Sequence, residues 1–298
     1  MKILLIGSQG QVGQALAATL PAVGSLTAWS RADLDLTQSE SLVTRVTQQA
    51  PDVIVNAAAY TAVDQAEQQP DLAYQVNHRA PELLAQAAQA CGATLIHLST
   101  DYVFDGTQNR PYQPTDSPNP LGVYGRSKLA GEIAVREQCD RHIILRTAWV
   151  YGALGRGNFV KTMLRLGASR AMLKVVYDQV GCPTWSNDIA GAIAQLLPRL
   201  TLETYGTYHF TNSGAISWYD FAVAIFEEAA ALNYPLAIQT VLPITTDQYP
   251  TPARRPAYSV LNGAKLATLL EQTAPHWRLS LRKMLHDWRS AGSLEEQR

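Results

Sequence analysis

KILLIGSQGQVGQALAATL, residues 2–20, is the stretch whose reading decides the fold. The apolar run KILLIG (2–7) is the pattern of a short strand buried on both faces. Gly7, Gly10 and Gly13 follow at once, and QVGQALAATL reads as a helix. Glycines at a strand-to-helix turn permit the tight bend, let backbone approach a pyrophosphate and let the helix pack closely on the sheet. The helix N-terminus then offers free N–H groups and the positive end of its dipole to phosphate. The spacing is G-x-x-G-x-x-G rather than the commoner G-x-G-x-x-G.

Outward from this unit, the first half repeats the same alternation. SLTAWS (25–30), DVIVNAAA (52–59), TLIHLST (94–100) and HIILRTAWVYG (142–152) read as strands. Residues 71–92 between them read as one helix, stopped by Gly92. Strands alternating with helices imply an α/β fold, a Rossmann-like doubly wound parallel sheet. The second half differs. NFVKTMLRLGA, NDIAGAIAQLL and SWYDFAVAIFEEAAAL read as helices, TYHFTNS as a strand, and the proline-rich 242–259 as an irregular segment closing over a ligand. The expected division is a dinucleotide-binding domain of residues 1–150 plus roughly 187–213, and a smaller C-terminal α/β lobe of roughly 151–186 and 214–298 for substrate. The terminal SLEEQR is expected to fray.

Composition narrows the function. The 298 residues are 47% hydrophobic and 16% charged, with a formal net charge of −1, which gives no electrostatic footprint for nucleic acid. Cys91, Cys139 and Cys182 are far apart, and the six histidines lack metal-site spacing. The opening apolar run is too short for a signal peptide, and no run reaches the ~18 residues that span a bilayer. A cytoplasmic protein is expected.

The end of the second strand bears on which dinucleotide binds. It reads Trp29-Ser30-Arg31, where an acidic residue would favour NAD. Arg31 can pair with a 2′-phosphate and Ser30 can hydrogen-bond it, which favours NADPH, with NADH as the other candidate because Asp33 and Asp35 follow. Asp35 and Leu36 are expected beside the adenine. Ala57, Ala58 and Ala59 leave room for a flat cofactor against the strand ends.

In LGVYGRSKLAGE (121–132), Tyr124 precedes Lys128 by four residues, so the two share a helix face. Thr100 ends the fourth strand. A free tyrosine has a pKa of ~10. A lysine ammonium and an oxidised nicotinamide beside it would lower that value. Such a tyrosine can donate a proton to a carbonyl oxygen as hydride reaches carbon. Thr100 would orient the same oxygen, and Lys128 would also hold the nicotinamide ribose. The chemistry needs no metal.

These motifs together resemble an extended short-chain dehydrogenase/reductase. Within that group AAYTAVDQAE (58–67), STDYVFDG (99–106), YGRSKLAGE (124–132), RTAWVYG (146–152), DQVGCPT (178–184) and YPTPARRPAYSVLN (249–262) resemble the dTDP-4-dehydrorhamnose reductase family. The resemblance implies hydride delivery from NADPH or NADH to C4 of dTDP-4-dehydro-L-rhamnose, the last step to dTDP-L-rhamnose. It implies Thr100, Tyr124 and Lys128 as the catalytic trio and Gly10, Gln11 and Val12 as the pyrophosphate loop. Ala59, Tyr60 and Thr61 fall beside the nicotinamide, and Thr61, Val63, Asp101, Tyr102 and Trp149 around the sugar nucleotide. Arg254 and Arg255 carry the charge for its diphosphate. Some family members bind magnesium at a dimer interface through glutamates, where Ala15 and Asn187 stand here. Neutral side chains do not replace carboxylates for a hard dication, so magnesium is not expected, and the chain is expected as a monomer or weak dimer.

Two rivals differ in sequence terms. A nucleotide-sugar dehydratase needs a glutamate after Thr100-Asp101, where Tyr102 stands, and an epimerase would retain NAD, which Arg31 disfavours. A non-catalytic regulatory subunit, like that of methionine adenosyltransferase, would have no need of the intact Thr100, Tyr124 and Lys128.

Overall fold

The computed structural model describes residues 1–38, 41–155 and 157–290; the SLEEQR end lies outside them. Strand β1 (Lys2–Ile6) enters helix α1 (Gln11–Thr19), followed by β2 (Ser25–Trp29), α2 (Leu42–Gln48) and β3 (Val53–Asn56). Then come α3 (Val63–Ala66), α4 (Pro70–Tyr74), α5 (Ala80–Cys91), β4 (Thr94–Thr100), α6 (Val123–Gln138) and β5 (His142–Thr147). Short strand β6 (Val150–Tyr151), helix α7 (Phe159–Gly167) and strands β7 (Met172–Val176), β8 (Val180–Gly181) and β9 (Thr184–Trp185) lead to α8 (Ser186–Leu196) and β10 (Gly206–His209). Last come β11 (Ile216–Ser217), α9 (Trp218–Ala231), β12 (Thr240–Ile244), α10 (Ala264–Leu270) and α11 (Trp277–Ser290).

Six parallel strands form the central sheet in the order β10-β5-β4-β3-β1-β2. β1 alternates its side chains between two cores, which is why its apolar run is unbroken. Ile3 and Leu5 pack with α1, α8 and α10, whereas Leu4 and Ile6 pack with α2 and α5. The sheet reverses its winding at β1, with β2 on one side and β3 on the other. At such a switch point the carboxyl ends of the strands leave a crevice, and Gly7 and Asn56 border it. A third core joins β7, α7, α9 and α11 through Leu173, Met163, Phe221, Ile225 and Leu285. Its small sheets are the pairs β7–β12, β8–β11 and β6–β9. No helix among the described residues is long and apolar enough to cross a membrane.

Three expected elements are corrected. The helix expected over 71–92 is broken by a π-helical turn at Gln75–Arg79 between α4 and α5, and it does end at Gly92, which is left-handed. The strand expected over 52–59 stops at Asn56. The strand expected over 142–152 stops at Thr147, because Trp149 adopts φ +47° and turns the chain before β6.

Candidate active site

Gly7 takes φ +83°, and its N–H donates to the Trp29 carbonyl at 2.9 Å, tying the turn to β2. A Cβ on Gly13 would lie 2.0 Å from the Gly7 carbonyl oxygen, so only glycine lets α1 sit this close. Gly10 is different: it is exposed and caps α1 with no side-chain hydrogen bond. The amides of Gln11, Val12 and Gly13 therefore open the helix with no side chain capping them. A diphosphate fits such an end, by charge and by donor supply.

Along the same edge, Ala57, Ala58, Ala59 and Tyr60 are half-buried and Thr61 is exposed. Their path is held from below by Asn77, whose side chain accepts from the Tyr60 N–H at 2.8 Å and donates to its carbonyl at 3.0 Å. Asn77 lies in the π turn and also donates to the Ser127 hydroxyl on α6. The extra residue of a π bulge re-aims a side chain, and such bulges recur at functional sites.

Helix α6 starts at Val123, whose N–H donates to the Glu67 carboxylate at 2.7 Å, a favourable charge for a helix N-terminus. Gly125 lets the helix approach the turn after β4; a Cβ there would stand 2.2 Å from the Tyr102 carbonyl oxygen. Tyr124 is thereby brought against Thr100, and its ring meets Tyr102 edge-on at 5.5 Å. Burial pushes the Tyr124 phenol up to about 12, with Thr100 pulling it down and Asp101 pushing it up. Burial is the largest influence on the phenol. Lys128 is buried, donates to the Leu98 carbonyl at 2.7 Å and lies 3.3 Å from His97 Nε2. Burial pulls Lys128 itself down to about 8.

Thr100 donates to Asp101 at 3.1 Å, and burial pushes that carboxyl up to about 6 against the pull of Ser259 and Thr100. Thr147, opposite Thr100 on β5, has a buried hydroxyl with no partner among the described residues. Trp149 stacks on Trp218 at 3.4 Å between centroids and covers Gly181. Val63 begins α3 and is half-buried.

Other expected residues stand differently. Ser30 is buried and donates its hydroxyl to Asp33 at 2.7 Å, so that group is already engaged. Arg31 is exposed and pairs with Asp35 at 3.5 Å, and Asp35 also accepts from Thr37. Leu36 is turned into the core beside Leu42 and Val46. Arg255 is bound through both outer nitrogens to Asp64, at 3.1 and 2.8 Å. Arg254 is exposed and makes no ion pair among the described residues. Sequence reading passed over Asn77, His97 and Trp218. Of these, His97 carried a signal, as a histidine flanked by apolar residues within β4.

A doubly wound parallel sheet with a bare glycine turn at its switch point, and threonine, tyrosine and lysine on the same edge, defines a dinucleotide-dependent oxidoreductase of the short-chain dehydrogenase/reductase class. The chain belongs to the dTDP-4-dehydrorhamnose reductase family: the family model described as RmlD substrate binding domain matches residues 1–290. It is 43% identical over 294 residues to the dTDP-4-dehydrorhamnose reductase of Escherichia coli K12, covering 96% of this chain and 98% of that one. The crystal structure of a dTDP-4-dehydrorhamnose reductase from Clostridium acetobutylicum is similar at 39% identity and a TM-score of 0.90, covering 97% of this chain and 100% of that one. The Bacillus anthracis dTDP-4-dehydrorhamnose reductase, solved in complex with NADP, is similar at 36% identity and a TM-score of 0.88, covering 96% and 99%.

Proposed function

We propose that this protein reduces the C4 keto group of dTDP-4-dehydro-L-rhamnose to give dTDP-L-rhamnose, with NADPH, or NADH in its place, as reductant and Tyr124 as proton donor. The observation that supports this reading is that Tyr124 lies against Thr100 and Lys128 follows one turn later on α6, at the strand edge that also carries the glycine turn. Relatives that match nearly the whole chain and bear that reductase name support it. The reduced nicotinamide supplies a hydride when bound. Gly10, Gln11 and Val12 hold its diphosphate, Arg31 reaches a 2′-phosphate, and Ala57–Ala59 leave space for the ring. Thr100 orients the keto oxygen, Tyr124 gives it a proton, and the phenolate later regains one from solvent. A phenol pushed up to about 12 is fully protonated at neutral pH, as a donor must be. Arg254, which makes no ion pair among the described residues, meets the substrate diphosphate, with Arg255 held beside it by Asp64. The reading includes a cytoplasmic monomer or weak dimer, with residues 1–150 and roughly 187–213 binding the dinucleotide and the rest forming the sugar-nucleotide lobe.

The test is reduced-nicotinamide absorbance with purified protein, run with NADPH and NADH in parallel. Oxidation is expected only when dTDP-4-dehydro-L-rhamnose is supplied. Cofactor binding without turnover would overturn this reading in favour of a non-catalytic, regulatory role.

A further inference from the structure

Helix α3 is a single turn that follows Thr61 closely, and it brings two carboxylates to the edge of the site. Asp64 and Glu67 stand three residues apart, so they lie on one face. Each holds a different stretch of the chain. Glu67 accepts the Val123 N–H at 2.7 Å, one residue before Tyr124. Asp64 accepts the Ala253 N–H at 3.1 Å and both outer nitrogens of Arg255, at 3.1 and 2.8 Å. Ala253 and Arg255 are the two neighbours of Arg254, so the arginine assigned to the diphosphate is pinned from both sides. Arg255 closes the segment on itself by donating to the Ala253 carbonyl at 3.2 Å and to the Thr251 hydroxyl.

The stretches meet at Gly122. A Cβ there would lie 2.6 Å from a Glu67 carboxylate oxygen and 3.9 Å from the Arg254 carbonyl oxygen. The charge of Arg255 also reaches Tyr102, whose ring meets Tyr124 edge-on. Burial, then Asp101, push the Tyr102 phenol up, and Arg255 pulls it down.

An ion pair this open adds little to stability: the Asp64 side chain is 39% exposed and that of Arg255 22%. What the pair fixes is geometry. A guanidinium presents its donors in a rigid fork, so a two-pronged bond to a carboxylate sets direction as well as distance. The bond from buried Ala253 sets the backbone, and Pro252 and Pro256 restrict it further.

We propose that Asp64 is a positioning residue that sets Arg254 for the diphosphate of the sugar nucleotide, while Glu67 on the same turn sets Tyr124. This role rests on the sugar-nucleotide reading above. It makes α3 a bracket that ties substrate binding and proton donation to residues 57–61, beside which the nicotinamide is proposed to lie. Loss of Asp64 acts on substrate affinity, and loss of Glu67 on the chemical step.

The experiment is calorimetric titration of the full chain with dTDP, for wild type, Asp64→Asn and Glu67→Ala, with steady-state kinetics on the same samples. Asparagine keeps the shape of the side chain and removes its charge. Charge alone would tighten dTDP binding, since a negative group near a diphosphate is gone. Positioning gives the opposite sign. Affinity is expected to fall about tenfold or more, as when a charged hydrogen bond is put out of reach. The loss should fall on KM more than on kcat, and the urea midpoint should move little. Glu67→Ala should reverse that split, lowering kcat about tenfold or more with dTDP affinity close to wild type. Should Asp64→Asn fail to fold, Asp64→Glu decides: it keeps the charge, displaces the carboxylate, and is expected to lose affinity. Binding of dTDP as tight as wild type, or tighter, in the Asp64 variant overturns the proposal. So does an equal loss of dTDP affinity in Asp64→Asn and Glu67→Ala, which would mark α3 as scaffolding alone. A wild-type chain that binds NADPH but no dTDP overturns the sugar-nucleotide reading itself, so the two failures are told apart.

Discussion

Tyr124 shows what spacing conveys at the scale of a residue and what it does not. Four residues on a helix set two side chains on one face, but they say nothing about how deeply that face is covered. The fold half-buries the phenol, and burial dominates its titration. Tyr124→Phe keeps the ring packing and removes the hydroxyl, with its proton and its hydrogen bond to Thr100. We predict that it lowers kcat by about 10²–10⁴-fold, the usual contribution of a positioned general acid, with NADPH affinity near wild type. Single-turnover kinetics and cofactor titration would check this, and surviving kcat would show that the proton comes from elsewhere. Arg255 gives the complementary lesson. Its sequence neighbour Arg254 is chemically identical, and the position of Asp64 on α3 gives Arg255 an ion pair that Arg254 lacks among the described residues.

Among elements, α6 carries both Tyr124 and Lys128, so its placement on the sheet governs the site. Glu132 pins it there. Its carboxylate accepts from Arg146 of β5 at 2.8 and 2.7 Å and from Ser99 of β4 at 2.6 Å, all with negligible exposure. Removing one partner of a buried pair leaves an uncompensated charge. Glu132→Gln is predicted to cost about 3–5 kcal/mol of stability, read as a lower urea midpoint. A midpoint within error of wild type would mean that α6 is held by apolar packing alone. The α6 helix was legible in the sequence. Its anchor was not, because Glu132 and Arg146 are brought together by the packing of α6 on β5. The π turn at 75–79 was hidden for a similar reason: it serves Asn77, whose partners Tyr60 and Ser127 lie on other elements.

For the whole molecule, the C-terminal core is closed by α9 against α11. Glu228 on α9 accepts from Arg278 and Arg282 on α11 at 2.7 and 2.8 Å, and these partners hold its carboxyl down to about 2 from the usual 4.5. A carboxylate depressed in the folded state stabilises the fold above its unfolded pKa, and that contribution is lost as pH falls towards the folded value. Glu228→Gln should therefore lower stability by about 1–2 kcal/mol at pH 7, an amount tempered by the exposure of both arginines. The deficit should shrink between pH 4.5 and about 2. Thermal or urea unfolding across that range would check it; a deficit independent of pH would assign the effect to packing.

The sequence by itself determined the parallel α/β sheet, the glycine turn and the family, because these rest on local patterns: unbroken apolar runs, glycine spacing, and residue strings close together in the chain. Tertiary structure alone decided which polar groups are already engaged. Ser30 is committed to Asp33, Arg255 to Asp64, and Lys128 to Leu98 and His97. Burial and donor direction are properties of neighbours brought together from distant parts of the chain, and they set the protonation state of a side chain more strongly than its place in a motif.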